Sequence, residues 1–338
     1  MKVAAFGRTQ WLYDSVIALG AAGHDVVLIG TCPAAPEYTV SEHDFARLAS
    51  DLGVPFFCDV SINREEYVSL ARSSGAQIAI SVNWPTLIGA PMREVLEHGV
   101  INAHAGDLPR YRGNACPNWA ILTGESSVVL TLHRMVDQLD AGPVFLKKAL
   151  LMTERTYISD VYKFLDRAIP CAYVDVVAGL ESGTLRPEEQ SDLPGHSLRC
   201  YPRIPDDGEI DWREPAKSLD RLVRASAEPF PGAFSFVGDV RLTVWRAHAG
   251  VVDNPVLGVP GHVVLVDANT GEVCVLAGAG VLVLEEVEIA GVRGKAANLI
   301  RSTRTRMGGR STPKYLEELS RRVELLEEQV ALMQGERR

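Results

Sequence analysis

The chain has 338 residues, of which 46% are hydrophobic, and its formal net charge is −9. This length and composition allow two domains of ordinary size with buried cores. No apolar run approaches the roughly 18 residues of a membrane-spanning helix, so no membrane insertion is predicted, and the acidic balance argues against a nucleic-acid partner. The six cysteines lie apart without a CxxC pair, which favours reduced thiols in a cytoplasmic protein over disulfides or a zinc site.

Apolar segments in the first half of the chain alternate between strand-like and helical patterns. The predicted strands are 2–6, 24–30, 54–57, 77–82, 100–103 and 128–135, and the predicted helices are 10–22, 64–73, 117–124 and 157–183. This alternation is typical of an α/β fold, here a Rossmann-like and mostly parallel sheet with helices on both faces. The first turn, residues 7–10, lacks the GxGxxG fingerprint, so no nicotinamide cofactor is predicted.

The pattern changes after residue 185. Residues 186–205 contain four prolines and few large apolar side chains, which indicates a linker between a first domain at 1–185 and a second at 206–308. The second domain shows short strand-like pieces separated by turns, at 233–237, 242–247, 261–267, 272–277 and 281–289. Short strands at this spacing predict a small β-barrel.

The end of the chain, residues 311–335, is predicted to be a coiled-coil helix. Its apolar residues repeat at alternating spacings of three and four and form what we call the tail seam: Leu316, Leu319, Val323, Leu326, Val330 and Met333. Such an a/d repeat predicts self-association, most simply a homodimer. The alternative is that this helix packs on a groove of the same chain.

Three complementary polar residues stand out between positions 102 and 142. Asn102 and His104 alternate at the end of a predicted strand, so both lie on one face at the carboxyl edge of the sheet, where α/β proteins bind ligands. Asp140 follows downstream and is succeeded by Ala141 and Gly142, which permit close approach of a ligand. Asp137 is an alternative carboxylate, although a solvated turn residue is its simplest interpretation.

Together these residue types suit acyl transfer to an amine. An amide can donate a hydrogen bond to a developing oxyanion, an imidazole can accept the proton of the attacking amine, and a carboxylate can orient the imidazole and raise its basicity. No Ser or Cys directly adjoins His104 in this stretch, which favours direct transfer over a covalent acyl-enzyme.

The segments around these residues carry a family resemblance. GVINAHAGDLPRYRG at 99–113, PNWAI at 117–121 and HRMVDQLDAG at 133–142 resemble the 10-formyltetrahydrofolate-dependent formyltransferases. That family includes the methionyl-tRNA, sugar and glycinamide ribonucleotide formyltransferases. The resemblance implies 10-formyltetrahydrofolate as cosubstrate, no metal, Asn102 as oxyanion donor, His104 as base and Asp140 as its support. Segments 203–212 and 223–234 resemble the family's C-terminal domain, which is OB-like.

The resemblance also implies binding residues. The loop after the strand at 77–82 would cradle the pterin ring, with a second segment opposite it: Trp84, Leu87, Ile88, Gly89, Gln138, Leu139 and Asp140. A simple capping turn is the alternative for this loop. The loop containing Arg110, Tyr111, Arg112 and Gly113 would form a wall that contacts substrate, although surface or structural arginines are an equal alternative. For His133, a packing role is the default interpretation.

Several acceptor amines are compatible with these motifs. The segments at 133–142, 229–235 and 243–245 most resemble the aminoarabinose formyltransferases, which implies a nucleotide-linked amino sugar of lipopolysaccharide or O-antigen biosynthesis. An ornithine-type or peptide amine is the next hypothesis. Transfer RNA ranks lower, because no Lys or Arg occurs from Thr9 to Ala46 to bind phosphates. A non-enzymatic scaffold with a degenerate formyltransferase body is the alternative of a different class.

Overall fold

The computed structural model describes residues 1–36, 38–191, 195–251, 256–308 and 312–335. The chain divides into two compact units, Met1–Arg203 and Ile204–Arg338. No helix within these described ranges is both long enough and apolar enough to cross a bilayer.

The first unit is built on a seven-stranded sheet. Its strands are β1 (Lys2–Gly7), β2 (Asp25–Thr31), β3 (Phe56–Cys58), β4 (Ile78–Val82), β5 (Val100–His104), β7 (Ser127–Arg134) and β8 (Val144–Leu151). Its helices are α1 (Gln10–Ala21), α2 (Glu42–Leu52), α3 (Glu65–Ser74), α4 (Ala90–Glu94), α5 (Cys116–Thr123) and α6 (Ile158–Glu181). Two short strands, β6 (Tyr111–Gly113) and β9 (Leu198–Cys200), form a separate parallel pair.

The strands of the sheet follow the order β3-β2-β1-β4-β5-β7-β8. The first five run parallel, whereas β7 is antiparallel to both β5 and β8. All five residues of β4 are buried, as expected where helices cover both faces of a parallel sheet. The predicted α/β class is therefore confirmed. The strand order reverses between β1 and β4, and β5 is the next strand beyond β4.

Five elements of the first unit were not predicted from the sequence, namely the helices α2 and α4 and the strands β6, β8 and β9. Helix α2 begins after Ser41, whose backbone N–H and hydroxyl both donate to Asp44, and it ends at Gly53 in the left-handed conformation. These are ordinary start and stop signals, and the helix buries Phe45, Leu48 and Ala49 on one face, so its start, its end and its apolar face were all readable from the sequence. Strand β8 lies at the sheet edge, and of its residues only Phe145 is buried. Lys147 and Lys148 point to opposite faces and pair with Asp107 and Asp175.

The segment expected to be a linker packs along the first unit. The backbone of Glu188 exchanges hydrogen bonds with Val144, at 2.7 and 2.8 Å, next to the loop that contains Asp140. Further along, β9 pairs with β6. The described part of this segment therefore contacts two loops that contain candidate functional residues.

The second unit contains an antiparallel β domain. Its strands are β10 (Ala233–Val237), β11 (Val240–Gly250), β12 (Val263–Asp267), β13 (Glu272–Leu276), β14 (Val281–Ile289) and β15 (Val292–Lys295). They follow the order β10-β11-β14-β13-β12, and β15 pairs with β14. The five strand-like pieces of the sequence are all strands, whereas α7 (Ala216–Ser226) and α8 (Ala296–Leu299) were not predicted.

The last helix, α9 (Thr312–Gly335), occupies the region predicted to be helical, apart from residue 311, which lies outside the described residues. Four members of the tail seam are exposed: Leu316, Leu319, Val323 and Leu326. The side chains of Val330 and Met333 lie outside the described residues. The described part of the tail seam is therefore open to a partner.

Candidate active site

A cleft of about 510 Å³ opens at the carboxyl ends of β4 and β5. Its wall combines the segment after β4, the end of β5, the turn that leads into α5, the loop before β8 and one side of α6. This is the edge at which open α/β sheets bind ligands. Asn102, His104 and Asp140 all line the cleft, so the structure brings the three predicted residues together.

Asn102 stands opposite His133 across the antiparallel pair of β5 and β7. His133 is buried, and its Nδ1 lies 3.1 Å from the carbonyl oxygen of Arg134. Because a carbonyl can only accept, Nδ1 carries the proton and Nε2 of the neutral ring is an acceptor. The amide Nδ2 of Asn102, 3.2 Å from that Nε2, therefore donates one hydrogen to His133 and keeps its second hydrogen for a ligand.

His104 is held in the opposite tautomer. Its Nε2 lies 2.7 Å from the carbonyl oxygen of Tyr111, so Nε2–H donates and Nδ1 is left as the basic atom. Burial lowers the pKa of His104 and outweighs the opposing effect of the Asp140 carboxylate. The imidazole is therefore neutral at neutral pH, which is the form that a general base requires.

Asp140 lies between the two imidazoles. Its Oδ2 is 3.7 Å from His104 Nδ1, and its Oδ1 is 3.6 Å from His133 Nε2. Burial by itself would raise the pKa of Asp140, but the charge that the two neighbouring histidines carry when protonated and a 2.8 Å hydrogen bond from the Gly113 N–H lower it to about 2. The carboxylate is therefore ionised throughout the physiological range.

The distance between Asp140 and His104 corrects one predicted role. A separation of 3.7 Å is longer than a hydrogen bond, so Tyr111 and not Asp140 orients the His104 ring in this structure. Asp140 acts on His104 through its charge. The rival carboxylate Asp137 is largely exposed and pairs with Arg93, away from the imidazole.

Cys116 requires a second correction. The stretch was expected to place no thiol beside the imidazole, yet Cys116 Sγ lies 3.6 Å from His104 Nε2. That nitrogen already donates to the Tyr111 carbonyl, so it cannot accept the proton of the thiol. Burial also raises the pKa of Cys116 strongly, which disfavours the thiolate. Cys116 is therefore poorly placed to act as a nucleophile.

Most residues predicted to hold a flat ring line the cleft: Trp84, Leu87, Ile88, Gln138, Leu139 and Asp140. Gly89 does not line it, and the Gly89 N–H donates to Asn63 Oδ1 at 2.6 Å. Ile88 is buried, whereas Leu87 and Leu139 are exposed at the rim. The cleft thus offers apolar walls with polar groups at one end, which is typical of sites for small ligands.

Of the four residues predicted to contact substrate, only Gly113 lines the cleft. Arg110 pairs with Glu125 at 2.6 Å, and the Tyr111 hydroxyl donates to the same carboxylate at 2.7 Å. Arg112 donates to Gln190 at 2.9 Å. Their side chains stabilise the loop, and the backbone of Tyr111 serves the site by accepting the His104 hydrogen bond.

His133 also lines the cleft, beside Asn102 and Asp140, although the sequence favoured a packing role for it. The strand that contains His133 was predicted correctly. The sequence could not show which face of the sheet His133 points to, because six consecutive residues of β7 are buried and both faces are therefore covered. The signal lies in the register, since His133 is directly opposite Asn102. Across the described residues, no cluster of three or more His, Cys, Asp or Glu side chains has the arrangement of a metal site.

Two family models match the chain. The model described as "Formyl transferase" matches residues 1–177, and the model described as "Formyl transferase, C-terminal domain" matches residues 204–303.

Solved structures share the fold at low identity. HypX from Aquifex aeolicus is 17% identical with a TM-score of 0.57, over 88% of this chain and 47% of HypX, so the chain spans about half the length of that protein. An N-formyltransferase from Helicobacter canadensis is 11% identical with a TM-score of 0.60, over 84% and 98% of the two chains. Methionyl-tRNA formyltransferase from Clostridium thermocellum is 16% identical with a TM-score of 0.51, over 76% and 96%.

The burial of His104 generates a pH-dependent prediction. We expect His104 to titrate below the ordinary histidine pKa of about 6.5, because burial outweighs the attraction of Asp140. The free energy of unfolding then has its full value, as far as His104 is concerned, above pH 6.5. It decreases as the pH falls toward the folded pKa of His104, because the unfolded state binds a proton at this residue more readily than the folded state does. Imidazole resonances followed by NMR measure this, with His104→Gln as the assignment control. A His104 pKa at or above the ordinary value would contradict the prediction.

Proposed function

The chain belongs to the formyl transferase family, and from that premise we propose that it transfers the formyl group of 10-formyltetrahydrofolate to the amine of a nucleotide-linked amino sugar. The observation that carries this proposal is the group formed by Asn102, His104 and Asp140 in one cleft. It supplies an amide donor, a neutral imidazole and a buried carboxylate within 3.7 Å of that imidazole.

The proposed mechanism is direct transfer. The acceptor amine attacks the formyl carbon and forms the new C–N bond, while the free Nδ2–H of Asn102 donates to the carbonyl oxygen as it becomes negative. His104 Nδ1 takes the proton of the attacking amine. The bond between the formyl carbon and N10 of the folate then breaks, and the protonated His104 gives its proton to N10 as N10 leaves, which restores the neutral imidazole.

Asp140 stabilises the protonated His104. At 3.7 Å the carboxylate and an imidazolium attract each other by an energy on the order of 4 kcal/mol at the effective dielectric constant of about 20 found for such pairs. His133 contributes by accepting from Asn102, which fixes the amide with its nitrogen toward the reacting oxygen.

The cleft suits a reduced pterin. Its apolar wall includes Trp84, Leu87 and Ile88, and its polar end holds the proposed catalytic residues. The Helicobacter canadensis neighbour was solved with folinic acid, which supports a folate at the corresponding site here. We propose that Gln138 and Leu139 close the opposite side of the ring.

The acceptor is proposed from charge and from the same neighbour. That enzyme was solved with dTDP-3-aminofucose, a nucleotide-linked amino sugar. The acidic chain, with no Lys or Arg between Thr9 and Ala46, does not favour transfer RNA. An ornithine-type or peptide amine stays the second hypothesis. Since the cysteines are scattered without a CxxC pair, the compartment we propose is the cytoplasm.

Formyl transfer is tested with a panel of acceptors and an Asn102→Ala variant. The wild-type chain is mixed with 10-formyltetrahydrofolate and UDP-, dTDP- or GDP-linked amino sugars, hydroxyornithine or charged initiator tRNA, and formyl product is measured by mass. Loss of one oxyanion donor costs about 2.7–4 kcal/mol, so Asn102→Ala should lower kcat by roughly two to three decades. No formyl product from any acceptor, or near-wild-type turnover by His104→Ala, would contradict the proposal.

Direct transfer predicts a mild effect at Cys116. Cys116→Ala should keep kcat within about threefold of wild type, because the thiol forms no bond to the formyl group. Cys200→Ala is the matched control, since Cys200 packs against Cys116 without lining the cleft. A loss above about 100-fold in Cys116→Ala alone, or a formyl thioester on Cys116 detected by mass spectrometry, would establish a covalent route instead.

We also propose that the chain forms a homodimer through the tail seam of α9. Val323 occupies an a position, and Leu319 and Leu326 occupy d positions, a combination that favours two parallel strands. In a parallel pair, Arg322 at g and Glu327 at e of the partner helix carry opposite charges. The exposure of the described seam residues supports this assignment.

The dimer is tested by paired substitutions in the full chain. Val323→Glu places a charge in the tail seam and should give a monomer by size-exclusion chromatography with light scattering. Leu325→Glu introduces the same charge at an equally exposed position outside the seam and should leave the dimer intact. A monomeric wild type, or a Val323→Glu dimer, would refute the coiled-coil dimer.

A further inference from the structure

Asp140 is held in an unusual backbone conformation. Its φ is +52°, in the left-handed region that few non-glycine residues adopt. Such a conformation persists only where surrounding contacts enforce it. Two residues on, the chain has no room for a side chain, because a Cβ on Gly142 would clash with the carbonyl oxygen of Arg134.

The contacts that enforce it come from a residue fifty positions away. The Gln190 Nε2 group donates to the carbonyl oxygens of Asp140 and Gly142, at 2.8 and 2.7 Å. Both hydrogens of the amide are thereby used. Its Oε1 accepts from Arg112 Nη2 at 2.9 Å. One side chain therefore connects the turn that follows Asp140 to the loop of Arg112 and Gly113.

The loop that Gln190 contacts in turn binds the side chain of Asp140. The Gly113 N–H donates to Asp140 Oδ2 at 2.8 Å, so the orientation of the carboxylate depends on the position of the loop that Gln190 holds through Arg112. Gln190 itself is placed by the paired backbones of Glu188 and Val144, two residues before it on an extended segment.

We infer that Gln190 is a positioning residue for the reaction, which holds the Asp140 turn in its left-handed conformation and keeps the carboxylate beside His104. This inference rests on the proposed function, because it concerns the carboxylate assigned to stabilise the protonated imidazole. Gln190 lies in the segment whose composition predicts a linker, so part of that segment serves the site.

Glutamate at position 190 is the sharpest substitution. Gln190→Glu keeps the shape and the contact with Arg112, but it removes both donors and places a negative charge against two carbonyl oxygens. We expect kcat to fall about 10- to 100-fold, the range typical of partners that orient reactive groups, with both KM values within about threefold of wild type. Glu189→Gln is the matched control, because Glu189 is an exposed neighbour, and should stay within about twofold. An unchanged kcat, or an effect on KM alone, would overturn the inference.

The route through Asp140 is tested in a double-mutant cycle. If Gln190 acts by placing the carboxylate, Gln190→Glu should cost less than about twofold in an Asp140→Asn background. The same 10- to 100-fold loss in both backgrounds would show that Gln190 acts elsewhere.

The pKa of His104 can be measured without any catalytic turnover, so it separates this inference from the proposed function. In Gln190→Ala the carboxylate is released, so the pKa of His104 measured by NMR should fall below that of the wild type, because the charge that raises it moves away. An unchanged His104 titration would overturn the positioning role. A wild type without transfer activity would overturn the proposed function alone.

Discussion

Two backbone carbonyl groups organise the site. A carbonyl can only accept a hydrogen bond, so Tyr111 fixes the proton of His104 on Nε2, and Arg134 fixes the proton of His133 on Nδ1. The two imidazoles are thereby held in opposite tautomers. One presents a lone pair beside the carboxylate of Asp140, and the other accepts from Asn102 and sets the direction of its amide.

The buried carboxylate between these rings gives the site its electrostatic character. Asp140 stays ionised because the hydrogen bond from the Gly113 N–H, and the positive charge of a neighbouring histidine whenever one is protonated, compensate for its burial. His104 stays neutral because burial disfavours its charged form more than Asp140 favours it. The pair is therefore ready to accept a proton, and proton transfer to His104 converts a neutral group beside an anion into an ion pair. This asymmetry suits a reaction in which an amine loses a proton as it is acylated.

The sequence predicted the sheet of the first unit and three polar residues that the structure brings together in one cleft, because both predictions rest on local patterns. Strand and helix alternation predicted the parallel sheet, and the two-residue spacing predicted that Asn102 and His104 share a face. The small residues after Asp140 distinguished it from Asp137. What the sequence did not predict depends on register and long-range contacts: the facing of His133, the approach of Cys116 to His104, and the reach of Gln190 across fifty residues. Edge strand β8 was also missed, because two consecutive lysines interrupt its apolar sequence.

The tautomers of the two histidines can be measured directly. Long-range ¹H–¹⁵N correlation spectra of the wild-type chain at neutral pH distinguish a proton on Nε2 from one on Nδ1. We predict the Nε2–H form for His104 and the Nδ1–H form for His133. A proton on Nδ1 of His104 would leave no basic nitrogen toward Asp140 and the cleft, and it would contradict the proposed mechanism.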